Sequence, residues 1–149
     1  MFHLIVEKDP TEKLENIDGF SLGDITISGD SGTLTSKGKS IMIFISLSML
    51  LDFTASFIID NEKQYRFEGI DSSFNFYITR ENDEIVLTDS EKKIVDRCTI
   101  PELISSMWRG INSFYSTYRP LISKEDAGIK DLDESIENFK VQFLDVIDS

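Results

Sequence analysis

Cysteine is nearly absent. Cys98 stands alone among 149 residues, so no disulfide can form within the chain. A lone thiol suits a reducing compartment, and a cytoplasmic location is the expectation. Histidine is equally scarce, with His3 the only one. Neither CxxC nor HExxH occurs, and no Asp-rich loop carries the central glycine that calcium loops require, so neither a metal nor a cofactor is expected. Cations are short as well. Lys plus Arg is 15 against 27 for Asp plus Glu, a formal charge of −12. Nucleic acid needs clustered cations on phosphate, and an anionic membrane surface needs the same, so neither is an expected partner. The amino terminus, MFHLIVEKDP, lacks the basic region of a signal peptide and meets Glu7 and Asp9 at once. Long apolar runs are missing with one near exception, Ile41 to Ile59. Ser46, Ser48, Asp52, Thr54 and Ser56 interrupt it, and a mid-span Asp costs about 3 kcal/mol on insertion scales. The run therefore reads as a buried strand leading into a buried helix.

What the chain does hold is bulky core material. Apolar residues make up 40%, and 11 of them are Phe. No repeat, linker or low-complexity tract divides the sequence, so residues 1–149 are expected to form one domain. A chain of this length buries roughly 70% of its unfolded surface and needs no metal or disulfide to fold.

The hydrophobic patterning predicts strands first and helices last. Residues 2–7 are β-prone. Asp9-Pro10-Thr11-Glu12 has a helix-start pattern, with Leu14 and Ile17 on its apolar side and Gly19 at its end. Phe20 to Ser28 alternates, but its apolar phase shifts from Phe20 and Leu22 to Ile25 and Ile27, which predicts a bulge at Gly23-Asp24. A turn at Gly29-Asp30-Ser31-Gly32 leads to a strand from Thr33 to Ser36. Lys37-Gly38-Lys39 turns into a strand from Ile41 to Ile45. Ser46 or Ser48 then caps a helix carrying Met49, Leu50, Phe53 and Phe57 on one face. Asn61-Glu62-Lys63 breaks it. Four strands follow, at Tyr65 to Ile70, Phe74 to Thr79, Ile85 to Leu87 and Ile94 to Cys98. Their connections, Asp71-Ser72, Glu81-Asn82-Asp83 and Asp89-Ser90, are short and polar, as in an antiparallel meander.

Thr99-Ile100-Pro101-Glu102 is a capping-box pattern opening a helix striped with Leu103, Ile104, Met107, Trp108, Ile111, Phe114, Tyr115 and Tyr118. Pro120 ends it. After a polar loop over 123–130, Asp131 caps a last helix striped with Leu132, Ile136, Phe139, Phe143 and Ile147. The expected fold is α+β: an antiparallel sheet of about six or seven strands with three helices, the last two packed on one face. The expected core is Leu47, Leu50, Phe53, Phe67, Phe74, Phe76, Leu103, Ile104, Met107, Trp108, Ile111, Phe114, Ile136, Phe139 and Phe143.

No stretch carries a recognisable reaction. Gly29-Asp30-Ser31-Gly32 spells the surroundings of a serine-protease nucleophile, but that mechanism needs a positioned base, and the only histidine lies in the first strand. Gly38-Lys39-Ser40 echoes a phosphate-binding loop. Five residues separate Gly32 from Gly38 where the pattern has four, and the sequence that follows is strand-like, so a hairpin turn is expected. Cys98 sits beside Arg97 with no histidine near in sequence and reads as a buried small residue. Trp108, Phe114, Tyr115 and Tyr118 could stack on a ligand, but their helical spacing makes them core. Among 27 acids a carboxylate pair for acid–base work is left open.

The charge distribution says more. Residues 1–60 carry nine acids and four bases, residues 61–119 ten and eight, and residues 120–149 eight and three. Negative charge is concentrated at the two ends, and packing those ends together would make one strongly acidic face. Such a face attracts a basic protein. The candidate contacts are Asp131, Asp133, Glu134 and Glu137 of the last helix, then Glu12, Glu15 and Asp24.

Three stretches, Phe44-Ile45-Ser46-Leu47-Ser48-Met49-Leu50-Leu51-Asp52, Phe67-Glu68-Gly69-Ile70-Asp71-Ser72-Ser73-Phe74 and Glu102-Leu103-Ile104-Ser105-Ser106-Met107-Trp108-Arg109-Gly110, resemble the small acidic immunity proteins of bacterial toxin systems. The resemblance spans residues 44–110 with gaps. It implies a cytoplasmic bacterial inhibitor that binds and neutralises a cognate basic toxin domain, and it carries over no binding residue. Two other classes fit the same residues: an oligomeric structural or regulatory domain, and a small enzyme using buried carboxylates. Neither oligomeric state nor partner identity is set by the sequence.

Overall fold

The computed structural model describes residues 1–70 and 72–149. Its architecture is α+β, but the strands form two antiparallel sheets of four where one sheet was expected. In the first, β1 (His3–Lys8) pairs with β2 (Leu22–Ser28), whose other edge is shared by β3 (Thr33–Thr35) and β4 (Ile41–Met42). Helix α1 (Ile43–Ile59) follows and separates the sheets in sequence. The second sheet is the meander β5 (Gln64–Glu68), β6 (Asn75–Glu81), β7 (Glu84–Thr88) and β8 (Ile94–Cys98), in that order. The β6–β7 connection is the tight polar turn expected, but the β5–β6 and β7–β8 connections run over 69–74 and 89–93, longer than expected, and Asp71 of the first lies outside the described residues. The sheets meet where the β2–β3 loop lies on β8. The Ser31 amide donates to the Val95 carbonyl at 3.0 Å, and a Cβ at Gly29 would fall 2.4 Å from that same oxygen. A loop therefore covers the β8 edge where a single sheet would have needed a strand.

The predicted bulge in β2 does not form. Pairing runs residue for residue from Lys8↔Gly23 to His3↔Ser28. The inward set is Ser21, Gly23, Ile25 and Ile27, leaving Phe20 and Leu22 outside. Glycine holds the inward site because the Glu7 carbonyl and the Ile43 side chain lie 2.5 and 2.9 Å from where its Cβ would be.

The expected strand from Ile41 to Ile45 stops at Met42, and the helix begins at Ile43 without a side-chain cap. Ser46 and Ser48 are therefore buried inside α1 and do not cap it. A run apolar on every side lacks the periodicity that would have told strand from helix. Helix α2 (Ile100–Tyr118) starts as predicted, with a complete Thr99–Glu102 capping box. It crosses β1 at Gly110, where a Cβ would meet the Leu4 carbonyl at 2.4 Å. After a 3-10 turn at Arg119–Leu121 come α3 (Lys130–Gln142) and a short fourth helix, α4 (Leu144–Ile147), which the sequence reading joined into one. Backbone at Phe143 (φ −118°, ψ 28°) breaks the two apart. Helix α3 rests mainly on α1, not on a sheet, and Ser48 and Ser135 share a buried hydrogen bond of 2.7 Å.

One apolar cluster draws on both sheets and on α1, α2 and α3. The expected core residues lie in it, with three qualifications. Phe53 is 48% exposed, while Trp108 and Phe143 are half-buried at its margin. Trp108 stacks parallel on Phe139, with centroids 6.1 Å apart. Among the described residues no helix is long and apolar enough to cross a membrane.

Candidate functional site

Four of the seven candidate carboxylates belong to α3. Asp131, Glu134 and Glu137, spaced by three residues, are exposed on its outer face, opposite buried Leu132, Ile136 and Phe139. Asp131 does not cap the helix as expected. The helix begins without a side-chain cap, and in the turn before it Asp126 Oδ1 accepts from the Ile129 amide at 3.0 Å. Asp133 is half-buried and clamped within the chain. Its Oδ1 accepts from Arg119 Nε at 2.8 Å and from Tyr115 Oη at 2.6 Å, and its Oδ2 from Arg119 Nη2 at 3.1 Å. Burial, reinforced by this carboxylate, pushes the Tyr115 hydroxyl up to about 12. Bidentate pairing to a guanidinium uses up the charge of Asp133, so little of it reaches a partner.

The second set is unevenly exposed. The helix expected from Asp9 does not start there. Asp9 Oδ1 instead accepts from the Thr11 amide at 2.9 Å and its hydroxyl at 2.8 Å, which holds that carboxyl below its ordinary value. Only a 3-10 turn, Leu14–Asn16, follows. Glu15 on that turn is exposed, while Glu12 is half-buried with Oε1 out of solvent. Asp24 is half-buried and tied down, its Oδ1 accepting from Ser36 Oγ at 3.1 Å.

The two acidic ends of the chain do meet. Gly19 packs on Gly128 so closely that a Cβ on either would fall under 3 Å from backbone of the other. Asp126 fastens the contact, its Oδ2 accepting from the Gly19 amide at 3.2 Å. Asp18 and Phe20 are thereby set beside the loop carrying Glu125 and Asp126. Phe20 is 53% exposed, and Leu22 beyond it is exposed too. The result is an acidic junction with a protruding aromatic ring. Sequence reasoning placed Phe20 in a strand and missed it, because Phe20 lies in a turn ahead of β2, its amide donating to Asp18 Oδ1 at 2.8 Å.

Cys98 is buried, and burial with Asp96 nearby pushes its thiol up to about 12, far from a reactive thiolate. His3 is exposed on β1. Gly38 takes φ +86° in the turn expected of Lys37-Gly38-Lys39. A helix does begin shortly after Ser40, contrary to expectation, but β4 intervenes and pairs with β2. Among the described residues no group of three or more His, Cys, Asp or Glu is placed to hold a metal ion. Asp96 is the one fully buried acid among them, with its Oδ1 accepting from the Asp30 amide at 3.2 Å. No protein-family model, curated protein sequence or solved structure matches the chain.

Proposed function

We propose that this chain is an acidic protein-binding module, an immunity protein that binds and neutralises a basic toxin domain in the bacterial cytoplasm. The observation that carries the reading is the junction at Gly19 and Gly128. It brings Asp126 from one acidic end onto the Gly19 amide of the other, next in sequence to Asp18 and to exposed Phe20. A net charge of −12 draws a basic partner from a distance and speeds encounter. Desolvated contact with an aromatic anchor then slows dissociation. Exposed Asp131, Glu134 and Glu137 extend the field along α3.

Co-expression tests the proposal. The proposed function predicts a toxin gene with a basic C-terminal domain immediately upstream, and that domain should arrest growth when produced alone. Producing the intact chain with it should restore growth, and Phe20→Ser combined with Glu125→Lys should weaken the rescue. Persistent arrest in cells that contain the folded, soluble chain would contradict the function.

A further inference from the structure

Strand β1 is an edge strand. Among the described residues it pairs only with β2, and no hydrogen bond from elsewhere in the chain reaches the backbone of Leu4, Ile5 or Val6. Such an edge offers free amides and carbonyls to an incoming strand. A groove of about 410 Å³ runs along it, with Leu4, Ile5 and Val6 on one side and Gly110, Ser113 and Thr117 of α2 on the other. Successive strand residues point to opposite faces, so a cavity that touches all three follows the backbone edge itself. Small residues three and four apart on the helix leave width beside that edge.

The groove narrows where α2 crosses β1 at Gly110 and Leu4, a contact too close for a Cβ on the glycine. On the amino-terminal side of Leu4 lies a smaller cavity of about 50 Å³, which shares Leu4, Arg109 and Gly110 with the groove. Ser106 lines it and is 3% exposed, and its Oγ has no hydrogen-bond partner. A buried hydroxyl of this kind calls for a polar group to satisfy it, and the cavity has room for a small one. Arg109 lines both cavities, is exposed and joins no ion pair among the described residues. No acid among the described residues lines either cavity, in a chain that has 27. A guanidinium and a free hydroxyl without a competing acid suit a carboxylate. A second copy of the chain is a poor occupant, because its own β1 is flanked by its own α2.

We infer that the β1–α2 groove binds an extended peptide by its carboxyl-terminal end. The peptide adds to β1 as an antiparallel strand, the pairing used throughout this sheet. That direction leads its chain end toward Leu4, where the helix crossing stops further strand. There the Arg109 guanidinium and the Ser106 hydroxyl donate to the terminal carboxylate. A β-branched side chain of the peptide covers Ile5, which is 46% exposed. The site is separate from the junction at Phe20 and does not depend on the function proposed for it.

The probe is a synthetic peptide of about six residues, alternating valine and threonine behind an amino-terminal lysine, with a fluorescein label at that end and a free carboxyl terminus. Anisotropy against the intact chain should show saturable binding, weaker by about tenfold or more for the same peptide amidated at its carboxyl end. Arg109→Gln should weaken the free acid by about tenfold or more and leave the amide unchanged. Ser106→Ala should also weaken the free acid, while its unfolding midpoint holds or rises because an unpartnered hydroxyl is removed. A proline in the middle of the peptide should abolish binding by breaking the ladder to β1. Phe20→Ser should change nothing. No saturable binding, equal binding of acid and amide, indifference to Arg109→Gln in a chain that unfolds normally, or undiminished binding of the proline peptide would each overturn the inference.

Discussion

Asp133→Asn should lower stability by about 1–2 kcal/mol, although Asp133 belongs to a helix whose other acids face solvent. The carboxylate accepts three hydrogen bonds, two from Arg119 and one from Tyr115. A hydrogen bond to a charged group is worth about 1.5–3 kcal/mol when well shielded. The Arg119 and Asp133 side chains keep 21% and 31% of their exposure, so water screens part of that attraction. Asparagine preserves the size and one acceptor oxygen but loses the charge, and its amide hydrogens face a guanidinium. With a urea m value of about 2 kcal/mol/M, the midpoint should fall by about 0.5–1 M. A double-mutant cycle with Arg119→Ala should give a coupling of about 1 kcal/mol, while Glu137→Lys on the outer face leaves the midpoint nearly unmoved. A loss below about 0.5 kcal/mol for Asp133→Asn, with no coupling to Arg119, would refute the clamp.

Three further outcomes follow from the packing. Met107 is fully buried, so Met107→Ala should cost about 2–5 kcal/mol in urea unfolding; a loss below about 0.5 kcal/mol would mean that its helix face is misassigned. Gly128→Ala places a Cβ 2.7 Å from the Gly19 carbonyl carbon and should cost about 1–3 kcal/mol by forcing the two acidic segments apart. Cys98 should resist a thiol reagent at about pH 8 until the chain unfolds. Its thiol is raised from 9.0 to about 12 by burial, so the stability it contributes is whole below pH 9 and is lost as pH rises through about 12. Rapid labelling of the folded chain would contradict this.

Local chemistry was legible wherever one residue pattern had one solution. Thr99 and Glu102 satisfy each other's backbone amides, so the start of α2 could be read directly. Short polar links between alternating strands allow little but hairpins, and the β5–β8 meander followed. Legibility ended where tertiary contacts chose among alternatives. Asp9 had two uses for its carboxylate, and the Thr11 turn won over a helix cap. The 41–59 run suited strand or helix equally until contacts on several sides favoured the helix. Two sheets could not be told from one, because the division depends on a loop reaching β8. The candidate site divided along the same line. Exposure of Asp131, Glu134 and Glu137 follows from helical spacing. The capture of Asp133 by Arg119 does not, since a loop separates the pair and their meeting depends on how α2 and α3 pack. Phe20 was hidden for a related reason: it lies in a turn ahead of β2, beside Gly19, whose packing on Gly128 joins segments more than a hundred residues apart.

The association rate of the chain with the basic toxin domain proposed as its partner, followed by stopped flow from low to high salt, tests the central claim most directly. An acidic face that steers a basic partner predicts a rate that falls about tenfold or more as salt rises. It also predicts slower association for Glu137→Lys, with the unfolding midpoint essentially unchanged. A rate that stays flat across the salt range and ignores Glu137→Lys would contradict the account.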